Sequence, residues 1–162
     1  MQAKQLVVNY WEYEPRDAAI PADIQQLIER AIAVRANAYA PYSGFNVGAA
    51  VLMGDGTVVE GTNQENGAYP SGLCAERVAL FYANSQFRGM PVKAIAIAGG
   101  PGDVLMDDVI TPCGACRQVM IESQNRQPNA IEVWMVGKSK VIKLSSVDSL
   151  MTFAFDGKLL SK

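Results

Sequence analysis

The chain has 162 residues, 49% apolar and 19% charged, which is the composition of one globular domain rather than a disordered chain, and at this size it needs no staple to fold. Fourteen Lys and Arg against sixteen Asp and Glu leave a net charge of −2, which argues against the basic face of a sequence-independent nucleic-acid binder. No apolar run approaches the ~20 residues of a membrane span, and the first residues lack the basic-then-apolar pattern of a secretory signal, so the expectation is a cytoplasmic protein with no membrane partner.

Residues 4–13 (KQLVVNYWEY) are β-prone and allow an extra N-terminal strand. From Ala22 the apolar residues Ile24, Leu27, Ile28, Ala31, Val34 and Ala38 recur at helical spacing, and the helix must stop before Pro41. Residues 46–53 read as a buried strand, and 57–63 as its hairpin partner across Gly54-Asp55-Gly56. The stretch after Ser71, GLCAERVALFYANSQ, reads as a helix from its first residue. Residues 92–98 are almost wholly apolar and predict a central strand. Gly99 to Asp108 is expected to be a loop. Its Gly99-Gly100-Pro101-Gly102 reads as a turn, because the Lys-Ser/Thr of a phosphate loop is missing. Thr111 and Pro112 suit the N-cap and first turn of a helix reaching about Asn125. Strands at 131–137 and 140–144 and a short helix near 146–151 follow. Trp11 and Trp134 read as packing residues. The order predicts an α/β fold: a three-layer α/β/α sandwich around a mixed, roughly five-stranded sheet. Residues 1–20 would be an extension packed on a catalytic domain at 21–162.

The chain contains no histidine. That excludes a Ser-His-Asp triad, a Cys-His pair and any His-ligated metal. Its three cysteines, Cys74, Cys113 and Cys116, are an odd number, which argues against a disulfide framework. Cys113 and Cys116 share one helix face, a spacing that suits two thiolates about 3.8 Å apart on a tetrahedral zinc. Cys74 would be the third ligand, also from a helix first turn. Three ligands leave an open position for water unless a carboxylate or a second chain fills it, whereas structural zinc sites are closed by four. Three thiolates and one dication sum to −1, so compensation is needed. Two helix N-termini and Arg77 would supply it. Glu76 is the only carboxylate in that first turn, placed to move a proton between water and substrate. Blander readings exist for each feature. A lone CxxC fits a redox pair, and three thiols fit plain burial. Phe45 fits a core aromatic, Asn63 to Asn66 fits turn chemistry, and Arg77 fits a surface ion pair.

Cys74-Ala75-Glu76 followed, 36 residues after Glu76, by Pro112-Cys113-Gly114-Ala115-Cys116 matches the general signature of zinc nucleobase deaminases. With YAPYSGFNVGAAV at 39–51, GTNQENGAYPSGLCAERVA at 61–79 and TPCGACRQV at 111–119, the chain resembles the small, homotetrameric, three-cysteine cytidine deaminases over about residues 22–155. The resemblance implies one zinc per chain on Cys74, Cys113 and Cys116, with Glu76 catalytic. It implies hydrolysis of cytidine and 2′-deoxycytidine to uridine and 2′-deoxyuridine with loss of ammonia, a step of pyrimidine salvage. It further implies that Phe45 packs on the pyrimidine and that Asn63 and Glu65 bind the ribose 3′-hydroxyl. Ala75 backbone and Glu76 would read the base. Gly67 and Tyr69 would approach the 5′-hydroxyl from a neighbouring subunit, and Phe155 would cover the site of another chain. The family's Leu-Leu-Pro tail motif has Thr152 in place of proline, with Phe153 nearby as a second aromatic. Blasticidin S is the alternative substrate, and the Asn63-x-Glu65 pair argues against it. A zinc scaffold without catalysis would need a fourth protein ligand.

Overall fold

A computed structural model describes residues 1–157 and 160 of the chain; the remaining positions of the expected 21–162 domain, 158, 159, 161 and 162, lie outside the described residues. The elements run β1 (Trp11–Tyr13), α1 (Ala22–Val34), β2 (Phe45–Met53), β3 (Val58–Thr62), α2 (Ala75–Gln86), β4 (Val92–Pro101), α3 (Gly114–Asn125), β5 (Glu132–Val136) and β6 (Val141–Leu144). Six strands form one sheet in the order β1-β6-β5-β4-β2-β3. Among these described strands only β4 and β5 pair in parallel, joined by the α3 crossover, and the other pairs are antiparallel. The mixed α/β sandwich expected from the element order is what forms.

Alternation along the central strands decides the layers. Ala49, Val51, Met53, Ile95 and Ile97 pack under α2 and α3. Ala50, Leu52, Ala94, Ala96 and Ala98 face α1, whose Ile24, Leu27, Ile28 and Ala31 are buried there. The α1 face of β4 is all alanine, so that helix lies close. A Cβ on Gly48 would collide with the Ala31 carbonyl. Among the described residues no helix is long and apolar enough to cross a membrane.

Most strand ends differ from the sequence reading by a residue, and four differences bear on the site or the sheet edge. The N-terminal strand covers 11–13 rather than 4–13: only Trp11, Glu12 and Tyr13 pair with β6, opposite Lys143, Ile142 and Val141. Trp134 is fully buried, but Trp11 is exposed on this edge strand, where the Lys143 ammonium lies over its ring. Helix α2 begins at Ala75, not at Gly72. Leu73 exchanges both backbone hydrogen bonds with Gln64, at 2.9 and 3.0 Å, which holds it extended. Helix α3 begins at Gly114, not at Thr111 or Pro112, since Arg117 Nε donates to the Pro112 carbonyl at 2.9 Å and Cys113 is still extended. The expected turn at 99–102 is mostly strand. Phe45, Asn46 and Val47 pair with Pro101, Gly100 and Gly99, and the reversal falls on Gly102, whose φ is +49°.

Candidate active site

Cys74 and Cys113 are the N-cap residues of α2 and α3. Both have extended backbones and neither makes a side-chain capping bond, so their sulfurs are free for other partners. The Cys113 sulfur lies 3.8 Å from that of Cys74 and 3.5 Å from that of Cys116. All three sulfurs fall within 4.8 Å of one another. The edges of a ZnS₄ tetrahedron with ~2.3 Å bonds are about 3.8 Å, so the triangle has the size a zinc ion needs. Cys113 is exposed, Cys74 half-buried and Cys116 buried. One corner of the triangle therefore faces solvent and one is sealed against the core.

The local charges make the same point. The Cys74 thiol is pulled down to about 5, first by a hydrogen bond from Cys116 and then by Arg77 and Cys113, against the opposing effect of burial. Cys116 is pushed up by its contact with Cys74 and by burial. Three sulfurs this close cannot all carry charge beside a single guanidinium, and a bound dication removes the conflict. Arg77 Nη2 donates to Cys74 Sγ at 3.7 Å and to the Gly72 carbonyl at 3.4 Å. Its Nε is buried without a hydrogen-bond partner. Burial lowers the Arg77 pKa, but its bonds to Cys74 and Cys116 outweigh that, and it is raised overall. Arg77 is thus turned inward on the thiols, not outward as a surface ion pair. The cysteine set, its spacing and this inward cation fit zinc.

Glu76 follows two residues after Cys74, is 4% exposed and lines the same cavity. Burial pushes its carboxyl up, and the charge on Cys74 adds to that, while hydrogen bonds from its own backbone and Cys116 and the charge of Arg77 oppose it. A carboxyl held above its ordinary range exchanges protons more readily near neutral pH.

The cavity holds about 720 Å³, within the usual range for small-molecule sites. Phe45, Asn63, Glu65, Tyr69, Cys74, Glu76, Arg77 and Cys113 all line it. Asn63 ties the end of β3 to β2, accepting from Val47 N at 2.8 Å and donating to the Phe45 carbonyl at 2.9 Å. Both ends of its amide keep capacity for a further partner. The Glu65 carboxylate accepts from Tyr42 N, Ser43 N and Ser43 Oγ, which hold it below the usual carboxylate range, the Ser43 hydroxyl most of all. Tyr69 is largely exposed and meets Tyr42 edge-on at 5.8 Å. Gly67 lies against the Tyr42 hydroxyl, and Ala75 is buried at the base of α2. Phe155 is not on the lining. It stands exposed in the tail, its carbonyl accepting from Gln118 Nε2 at 3.1 Å. Tyr42, Ser43, Val47, Ile110 and Thr111 are among the other residues of the wall, and were given no site role from the sequence. The first three lie inside the quoted 39–51 segment and Thr111 opens the quoted 111–119 segment, whereas nothing periodic or ligand-like marks Ile110.

The family model for the cytidine and deoxycytidylate deaminase zinc-binding region matches residues 21–130. The chain belongs to this family. Its match begins one residue before α1 and contains all three cysteines. A cytidine deaminase of Sporosarcina psychrophila is 38% identical over 143 residues, covering 86% of this chain and 96% of the relative. One from Halalkalibacterium halodurans is 51% identical over 100 residues, 62% of this chain and 71% of the relative. The crystal structure of a cytidine deaminase from Burkholderia pseudomallei superposes with a TM-score of 0.69 at 42% identity, covering 80% of this chain and 97% of that one. Sequence family, fold and cysteine triangle thus agree on a zinc-dependent deaminase.

Proposed function

We propose that the chain hydrolyses cytidine and 2′-deoxycytidine to uridine and 2′-deoxyuridine with release of ammonia. The observation that carries this reading is the cysteine triangle beside the buried Glu76 at the end of a cavity lined by Phe45, Asn63 and Glu65. Cys74, Cys113 and Cys116 would hold the zinc, which supplies a water acidified to near-neutral pH and polarised for attack. Glu76 accepts a proton from the attacking water and delivers it to N3 of the ring. A second transfer through Glu76 to the exocyclic nitrogen lets ammonia leave. The Ala75 backbone and Glu76 read the base edge. Arg77 and the N-termini of α2 and α3 offset the negative charge gathered on the thiolates. Phe45 packs on the pyrimidine, and Asn63 and Glu65 take the sugar hydroxyl.

The assembly belongs to the same proposal. Tyr69 at 76% exposure, Phe81, Tyr82 and Phe155 leave aromatic surface uncovered around α2 and the tail. This supports a homotetramer with shared sites, in which Gly67 and Tyr69 approach the 5′-hydroxyl and Phe155 covers a neighbour's cavity. Residues 1–20 are an extension that packs on the catalytic domain through β1, and the family match starting at residue 21 supports that division. A role in pyrimidine salvage follows from the reaction, and a reduced, cytoplasmic setting from the three free thiols.

A panel of cytidine, 2′-deoxycytidine and blasticidin S, followed by chromatography, tests the substrate. Uridine and 2′-deoxyuridine should accumulate while blasticidin S is left intact. Turnover of blasticidin S alone would contradict the assignment. The sugar-reading pair on the cavity wall and the names of the relatives both favour the nucleosides.

A further inference from the structure

Ser43 lies in the 39–51 segment, and its hydroxyl joins the two groups assigned to nucleoside recognition. Its Oγ donates to Glu65 Oε1 at 2.5 Å and accepts from Phe45 N at 3.0 Å. A serine hydroxyl has one hydrogen to give, and with Phe45 N–H on its oxygen that hydrogen is aimed at the carboxylate. Gly44, at φ +64°, lets the chain turn back so that Phe45 N faces the hydroxyl. Glu65 Oε2 is held separately, by Tyr42 N at 2.9 Å and Ser43 N at 3.2 Å. The terminal torsion of a glutamate is broad and roughly two-fold, so holding one oxygen does not fix the plane of the carboxylate. The Ser43 hydroxyl donates to the other oxygen, and the bond is of the short, charge-assisted kind.

We infer that Ser43 is a positioning residue for nucleoside recognition: it sets the plane of the Glu65 carboxylate for the sugar 3′-hydroxyl and ties that carboxylate to the start of β2, where Phe45 stands. The inference rests on the reading of Glu65 as the sugar-binding group. Ser43 acts through Glu65 and moves no proton in the reaction. Its loss should raise KM and leave kcat nearly alone.

The test compares 2′-deoxycytidine with 2′,3′-dideoxycytidine, which differ only in the 3′-hydroxyl, on zinc-loaded wild type, Ser43→Ala and Ser43→Thr. Wild type should prefer the substrate that has the hydroxyl. Ser43→Ala should raise KM for 2′-deoxycytidine about ten-fold, the worth of one charge-assisted hydrogen bond, and shrink the preference by the same factor. Ser43→Thr keeps a hydroxyl and should restore both. In a double-mutant cycle with Glu65→Gln the two losses should not add. An unchanged preference in Ser43→Ala, or an equal loss on both substrates, would overturn the inference alone. No preference in wild type would overturn the sugar reading of Glu65 and this inference with it, while deamination itself would still be seen.

Discussion

The Cys74 thiol at the start of α2 stands 3.8 Å from the Cys113 thiol at the start of α3, although the two residues are 39 positions apart. Two helix N-termini are brought to one point, and each presents its sulfur where the helix dipole favours negative charge. Cys116, one turn into α3, closes the triangle from the buried side. Replacing Cys113 by alanine leaves two thiols, too few to hold the ion. Cys113→Ala should lose its zinc as measured by elemental analysis, with the far-ultraviolet spectrum little changed because Cys113 is exposed. A full zinc complement in that variant would contradict the ligand set.

Arg77 is the cation placed against this cluster. Its removal leaves thiolate charge with less compensation and should weaken zinc binding about 10- to 100-fold, the usual range for partners of metal ligands. Competition with a chromophoric chelator measures this directly. Arg77→Lys keeps the charge but not the planar fork and should recover only part of the loss. Wild-type affinity in Arg77→Ala would show that the contact at Cys74 carries nothing.

Gly61 on β3 lies against α2 so closely that a Cβ would stand 2.5 Å from Ala79 N and 2.6 Å from the Ala75 carbonyl. Both contacts are backbone and cannot swing aside. Gly61→Ala should therefore push the first turn of α2 off the sheet, carrying Cys74 and Glu76 with it. The expected cost is about 1–3 kcal/mol, read as a lower Tm, together with weaker zinc binding. A variant with unchanged Tm would mean that α2 yields without cost.

The Glu65 carboxylate is held below its ordinary 4.5 by the Ser43 hydroxyl, with the Tyr42 and Ser43 amides adding to it. A depressed pKa gives an ordering contribution that is complete above 4.5 and is lost as pH falls through the lower, folded value. The Tyr42 and Ser43 amide resonances should therefore hold their positions down to pH 4.5 and titrate only below it. A midpoint at or above 4.5 would contradict the bonds drawn to Glu65.

The layers of this fold were legible because alternation and helical period carry them. Ile24, Leu27, Ile28 and Ala31 mark one face of α1, and the runs at 46–53 and 92–98 mark the two central strands. The zinc ligands were legible because thiols at that spacing beside Glu76, in a chain without histidine, leave few other uses. The helix starts were not. Local capping preference favours Ser71 and Thr111 as openers, but the Gln64–Leu73 bridge and the Arg117–Pro112 bond, both made across a loop or turn, delay each helix to the cysteine. Gly99 and Gly100 look like turn residues by composition. They serve instead where Ile110 and the Val104 carbonyl come too near β4 for any side chain, an approach that depends on tertiary packing. The tie from Ser43 to Glu65 was hidden for the same reason, since it joins residues 22 apart.

The central claim is that zinc held by the three cysteines and the proton-carrying Glu76 act together on cytidine. Glu76→Gln keeps the size of the side chain and removes its ability to exchange a proton. The most direct measurement quantifies zinc and uridine for wild type and Glu76→Gln side by side. The account predicts one zinc per chain in both, uridine from wild type, and a rate lower by about 10²- to 10⁴-fold in the variant. Near-normal uridine formation by zinc-loaded Glu76→Gln would contradict it.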